Sequence, residues 1–379
     1  SGSHVSNAAG STSGAVSFMK RFSHTTREVA QNGRRGALML SMDIAHPDVE
    51  AFTTIKQDLS QVTGANISLR LSDEFMKAVD NNTEYTHKWP IDSDDPKFTK
   101  TIQARDLWNT IIQCAHNTAE PGLIYWDRQH WYSTSSVYPG YENTSTNPCS
   151  EIAMQGGDSC RLIALNLFKF VEEPFTPQAK FNMNKFYQAT YEGQRLMDDL
   201  VDLEVEAIER ILKKVDSDEE PESIKMVEKE TWELLLKTGK EGRRTGLGFT
   251  ALADMVAALG YKYDSDESIE FIENMMREKC RAEFDCSIDM SLERGSFVGF
   301  NKDIEETSEF VQMLKVELPE VYERMMKFGR RNISISTVAP TGTLSMLAQT
   351  SSGIEPVFMT DYKRRRKLND RDTEEKVDF

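Results

Sequence analysis

The chain has 379 residues, 39% of them hydrophobic and 28% charged, with a formal net charge of −16. That length suits one large α/β domain or two ordinary ones, and no apolar run approaches the roughly 18–20 residues of a membrane span. The acid excess argues against a protein that coats a nucleic-acid backbone, where affinity comes from many Lys/Arg–phosphate contacts.

In chain order, the small, polar start Ser1–Gly14 lacks the regions of a signal peptide, so the cytoplasm is the expected compartment. A helix is predicted over 18–31, then a turn-rich basic loop, Gln31-Asn32-Gly33-Arg34-Arg35-Gly36. Ala37–Ile44 reads as a buried strand stopped by His46-Pro47, and Pro47–Ile55 as a helix. Val62–Leu71 is strand-like, with alternation over Asn66–Leu71, and Ser72-Asp73-Glu74 caps a helix over 73–80. Residues 81–98 read as polar turns, 104–118 as a helix and Gly122–Trp126 as a short strand. Asp127–Pro148 is aromatic and irregular, and so much irregular chain in a compact domain is usually functional. Helices are predicted at 193–215, 222–238, from Arg243 through Leu259, at 266–292 and at 303–328, with a final strand over Asn332–Val338. Short apolar strands alternating with helices indicate an α/β fold. The basic run Lys363–Lys367 reads as a solvated surface stretch.

The five cysteines (Cys114, Cys149, Cys160, Cys280, Cys286) are too few and too scattered for a disulfide framework and read as reduced thiols. The six histidines form no H-x-H or H-E-x-x-H pair and there is no C-x-x-C, so no protein-ligated metal is expected. Three segments carry chemistry. In Asn147-Pro148-Cys149-Ser150-Glu151, Pro148 favours extended chain, which would aim Asn147, Cys149 and Glu151 at one point. The glycine turn Gly156-Gly157 feeds an apolar run and returns Cys160 towards Cys149. In Ser336–Ser345, a strand, a turn of small hydroxyl residues and a helix start make an anion site. Thr341, Thr343 and Ser345 supply hydroxyls there, and Gly342 allows close approach to the backbone. Read alone, each has a plain structural alternative: a turn with a buried cysteine, a small core thiol, and a helix cap.

Together these segments resemble the catalytic chain of the ribonucleotide reductases. Asn147–Glu151 is similar to that family's N-x-C-x-E finger-loop motif. Pro340-Thr341-Gly342-Thr343-Leu344-Ser345, followed by Ser352–Pro356, resembles its diphosphate-binding turn and the strand after it. Arg243–Gly248, Thr12–Phe18 and Gly33–Ala37 resemble three further signatures, all in family order from about Val5 to Tyr362. The resemblance implies a ten-stranded α/β barrel, partial in this chain. Residues 1–379 would form a single catalytic domain, and 143–160 the central finger loop and the redox-cysteine strand.

It further implies that Cys149 carries a thiyl radical, that Glu151 is the general base on the substrate's 3′ hydroxyl and that Asn147 binds substrate. Cys160 would be one of two reducing cysteines, and Pro340–Ser345 would hold the substrate's phosphates. Gln31, Asn32, Gly33, Arg34, Arg35, Gly36 and Ala37 would form the loop that senses a dNTP effector. The Asn-Pro-Cys-Ser-Glu form, the spacing to Cys160 and Ala339-Pro340-Thr341-Gly342-Thr343 look most like the adenosylcobalamin-dependent class. A class I large subunit fed by a partner subunit and a non-catalytic nucleotide-binding barrel are the alternatives. A glycyl-radical enzyme is disfavoured for want of a glycyl loop near the C-terminus. The implied partners are a ribonucleotide, a dNTP effector, a thioredoxin-type or thiol reductant and the remaining segments of the same enzyme. The family's second reducing cysteine matches none of Cys114, Cys280 or Cys286, and its further strands and cysteine-pair tail lie past Phe379, so the chain reads as a fragment.

Overall fold

The computed structural model describes residues 2, 4–6, 10–29, 36–359, 361, 364–366 and 376–378. It comprises two compact units, Ser1–Arg161 with Asp198–Thr245 and Ser287–Ser334, and Leu162–Met197 with Gly246–Cys286 and Ile335–Phe379.

In the first unit the strands are β1 (Met39–Asp43), β2 (Asn66–Leu71), β3 (Glu84–Trp89), β4 (Phe98–Gln103), β5 (Gly122–Tyr125), β6 (Ser145–Thr146) and β7 (Ala153–Met154). β1, β2 and β5 form a parallel sheet in that order, with Ser41 beside Ser68 and Ser68 beside Gly122. Side chains alternate along each strand, so the sheet has two unlike faces. Ile67, Leu69 and Leu71 enter a core with Phe52, Phe75 and Ile111 from the helices Val49–Thr54, Asp73–Asn81 and Ala104–Thr118. Asn66, Ser68 and Arg70 line the other face, where a Cβ at position 122 would lie 2.7 Å from the Ser68 hydroxyl and force it to turn away. Ser72 caps its helix as predicted, its Oγ accepting from the Phe75 amide at 3.1 Å.

In the second unit β8 (Ile163–Asn166) pairs in parallel with β11 (Leu247–Thr250), and β9 (Val171–Glu172) pairs antiparallel with β10 (Lys180–Phe181). Its core gathers Leu167, Phe170, Phe186, Phe249, Met255 and Met275. Lys279, fully buried, donates from Nζ to the Leu247 carbonyl (2.8 Å), Ser336 Oγ (2.7 Å) and Glu283 Oε1 (2.5 Å). One ammonium thus ties the helix Asp266–Arg294 to the strand end at Leu247.

Several predicted elements change. The polar stretch 81–98 becomes the outer arm of the antiparallel hairpin β3–β4, because Tyr85 and His87 alternate inward against exposed neighbours. The helix expected over 303–328 is Lys302–Glu305, Glu309–Glu317 and Pro319–Phe328, with Pro319 opening the last. The strand expected over Asn332–Val338 is a single bridge, Leu247 with Ser336. Arg243–Leu259 holds β11 first and turns helical only at Leu252, after Ala251 takes a left-handed φ of 66°. No strand follows at 352–356. Among the described residues the strands make separate sheets of two or three, so the mixed α/β content stands without a closed barrel.

His87 is fully buried and neither ring nitrogen has a hydrogen-bond partner. Burial pushes its pKa below 6.5, and the same holds for His46. An unfolded chain therefore takes up protons that the fold refuses, so stability falls as pH drops below 6.5. His87→Leu should flatten this acid slope in denaturant titrations between pH 7 and 5 while changing stability at pH 7 by no more than about 1 kcal/mol, since an unpaired buried polar group is lost.

Candidate active site

The cysteine turn closes the short hairpin β6–β7, in which Ser145 pairs with Met154 and Thr146 with Ala153. Asn147 and Pro148 are favoured at the first two positions of a β-turn, and here the Ser150 amide donates to the Asn147 carbonyl at 3.0 Å. Ser150 follows with a left-handed φ of 69°. The segment is therefore a tight turn and not extended chain, so the alternation argument for aiming Asn147, Cys149 and Glu151 does not apply. Convergence arises from the fold instead. Asn147 is locked from both ends, its amide donating to the Ile152 carbonyl and its Oδ1 accepting from the Ile152 amide, each at 3.1 Å. Its Nδ2 reaches Cys160 Sγ at 3.8 Å, and Cys160 Sγ donates to Glu151 Oε1 at 3.8 Å. Cys149 occupies the exposed crest.

Both thiols are held protonated. Burial and then the Glu151 carboxylate raise Cys149, and burial with Glu151 pushes Cys160 up to about 12. Cys149 itself adds to the shift on Cys160, so the two sulfurs share one electrostatic environment. Cys114 lies buried in Ala104–Thr118, and Cys280 and Cys286 lie in Asp266–Arg294.

The base of the hairpin is fixed by a buried arginine pair that sequence reading passed over. Arg244 donates from Nε to Asp158 Oδ2 (2.6 Å) and from its terminal nitrogens to the Ala153 carbonyl (3.3 Å), Gln155 Oε1 (3.0 Å) and Ser135 Oγ (3.1 Å). Arg161, next to Cys160, binds Glu204 through Nε and through Nη2 at 3.1 Å, and its Nη1 donates to the Arg244 carbonyl at 2.8 Å. Both arginines stood inside quoted segments, Arg161 three residues after Asp158, but no spacing in the sequence joins Asp158 to Arg244, 86 residues on.

The hydroxyl-rich turn belongs to the second unit. Thr341 is left-handed (φ 54°) and starts the helix Gly342–Ala348. Its buried Oγ1 shares a hydrogen bond with Thr250 Oγ1 and accepts from the Gly353 amide, both at 2.9 Å. Ser345 Oγ lies 2.8 Å from Ser352 Oγ and donates to the Gly342 carbonyl at 2.9 Å. These two hydroxyls brace the loop rather than wait for a ligand. What the turn offers is exposed backbone at Gly342 and Thr343, where the first amides of a helix lack intrahelical acceptors and a Cβ on Gly342 would meet nothing. Pro340 and Leu344 are also exposed. Of the expected effector loop, Gln31, Asn32, Gly33, Arg34 and Arg35 lie outside the described residues; Gly36 and Ala37 follow them into β1.

Residues 1–376 match the family described as ribonucleotide reductase, barrel domain. The chain belongs to that family. It is similar to a vitamin B12-dependent ribonucleoside-diphosphate reductase of Mycobacterium tuberculosis, at 28% identity over 96% of this chain and 45% of the relative. A protein of the same description from Thermoplasma acidophilum is 31% identical over 95% of this chain and 40% of the relative. A vitamin B12-dependent ribonucleotide reductase of Streptomyces clavuligerus is 25% identical over 92% and 38%. The chain thus spans less than half the length of these curated relatives. No helix among the described residues is long and apolar enough to cross a membrane.

Two measurements check this geometry. Arg244→Ala leaves the buried Asp158 with only the more distant Arg161, at 3.6 Å, and should cost about 3–5 kcal/mol in chemical denaturation, the usual penalty for breaking a buried ion pair. Glu151→Gln removes the charge that raises both thiols, so iodoacetamide at pH 8 should label Cys149 and Cys160 faster than in the parent, each followed by peptide mass spectrometry.

Proposed function

We propose that this chain is the catalytic barrel portion of an adenosylcobalamin-dependent ribonucleotide reductase, which makes deoxyribonucleotides for DNA synthesis. The observation that carries the reading is the meeting of Asn147 and Glu151 of one hairpin with Cys160, beside Cys149, with both thiols exposed. In this reading residues 1–379 form one catalytic domain within a ten-stranded α/β barrel, and 143–160 are its finger loop and redox-cysteine strand. The relatives' vitamin B12 dependence supports the cofactor.

The donor set suits that cofactor. A carbon radical needs an accessible S–H, and Cys149 is exposed with its pKa raised, so the hydrogen is present at neutral pH. When bound, adenosylcobalamin supplies the one-electron oxidation through homolysis of its cobalt–carbon bond. The chain's residues do the rest. Cys149 gives up its hydrogen atom and, as a thiyl, takes the 3′ hydrogen of the ribose. Glu151 accepts the 3′ hydroxyl proton, and Asn147 holds the substrate by hydrogen bonds. The 2′ oxygen leaves as water, with Cys160 and a second thiol supplying two electrons and two protons and ending as a disulfide. The second thiol comes from outside this chain's five cysteines. Cys149 then returns the 3′ hydrogen atom to C3′ and is left again as the thiyl.

The exposed amides at Gly342 and Thr343, within Pro340–Ser345, bind the substrate's phosphates, as helix N-termini favour anions. Gln31–Ala37 sense a dNTP effector, and a thioredoxin-type or small thiol reductant restores the dithiol. The protein works in the cytoplasm, with the remaining segments of the enzyme.

The test is deoxynucleotide formation from CDP or CTP with adenosylcobalamin, dithiothreitol and a dNTP, for the chain alone and joined to the flanking segments of the relatives. Cobalamin-dependent turnover in the joined form, abolished by Cys149→Ala, is the expected result. Turnover only with a metal-loaded partner subunit would make it a class I chain. Nucleotide binding without turnover under either condition would leave a non-catalytic barrel.

A further inference from the structure

The polar face of the three-stranded sheet has an occupant. Residues 144–148 run across it antiparallel to β2. Asn66 Nδ2 donates to the Pro148 carbonyl at 3.2 Å, and Arg70 Nη1 donates to the Thr144 carbonyl at 3.3 Å. The steps match, four residues on each side. On β1, Ser41 Oγ lies 3.0 Å from Ser145 Oγ. All three sheet residues project from one face, since Ser41 is level with Ser68 between Asn66 and Arg70. The Arg70 guanidinium also lies 5.0 Å over the Trp126 ring and 3.9 Å from Asp43, which fix its direction.

From this we infer that Asn66 is a positioning residue for Cys149, with Arg70 anchoring the other end of the same segment; the inference rests on the reading of Cys149 as the radical cysteine. The carbonyl that Asn66 holds belongs to the Pro148–Cys149 peptide, the bond that sets where Cys149 stands. The arginine pair at 161 and 244 secures the β7 side of the hairpin and Asn147 ties the turn to Ile152, while Asn66 is the contact that fixes the crest to the sheet. Reacting atoms must meet at about 3–3.5 Å in alignment, and a misplacement of about 1 Å can cost on the order of 100-fold, so a side chain that never touches substrate governs the reaction geometry.

Asn66→Asp keeps the shape and removes the donor, while the backbone amide of residue 66 still reaches the Leu38 carbonyl. Hydrogen exchange of the amides of Ser150 and Ile152 should quicken about fivefold, the effect of one hydrogen bond on a local opening. Iodoacetamide labelling of Cys149 should rise likewise, with Cys160 unchanged; cleavage after Glu151 separates the two cysteines. Arg70→Met should speed exchange at Thr144 and Met154 more than at Ser150. In the joined enzyme, Asn66→Asp should lower kcat with little change in KM. Unchanged exchange and labelling in Asn66→Asp, whatever its melting temperature, would overturn the assignment. Because exchange and labelling need no turnover, a protein that proves inactive as a reductase would refute the function and leave this test standing.

Discussion

Asp158 is almost fully buried and lies between two arginines, 2.6 Å from Arg244 Nε and 3.6 Å from Arg161 Nη1. A carboxylate there is tolerable only because both cations are present and each has further acceptors. Its placement organises the unit around it. Arg244 spends its remaining donors on the Ala153 carbonyl, Gln155 and Ser135, which sets the return strand of the cysteine hairpin. Arg161 spends its own on Glu204 and on the Arg244 backbone, which sets Cys160 one residue away. The placement of the hairpin and of Cys160 thus depends on this buried charge at the base.

The site also shows how one carboxylate serves two thiols. Glu151 receives a hydrogen bond from Cys160 and raises both cysteines, so each keeps its proton near neutrality. A nucleophilic cysteine requires the opposite arrangement, with a nearby cation that lowers the pKa. Thiols held as S–H suit hydrogen-atom transfer, where the reacting species is the neutral thiol.

The second unit uses the same economy with hydroxyls. Thr341 and Ser345 brace the turn from within, and Gly342 and Thr343 are left exposed. At Gly248 a Cβ would lie 2.6 Å from the Thr337 carbonyl, so β11 and the incoming chain meet backbone to backbone. Lys279 reinforces this junction through Leu247 and Ser336, and burial raises the pKa of its partner Glu283.

The sequence by itself determined much of this protein: the α/β class, the helix Ala104–Thr118 to the residue and the Ser72 cap. These are local properties, written in hydrophobic period, capping residues and short spacings. The same reading failed where neighbours in space decide. Tyr85 and His87 made a strand of a polar stretch once a core lay beside it, and Asn332–Val338 bonds the backbone of Gly242, Thr245 and Leu247 yet makes only one regular bridge, with side chains such as Lys279 and Asp198 joining in. Asn66 and Arg70 looked like the solvent side of an alternating strand. Only tertiary structure revealed that a hairpin some 80 residues later lies on that face, because a hydrogen bond to a distant carbonyl leaves no mark on the sequence around its donor.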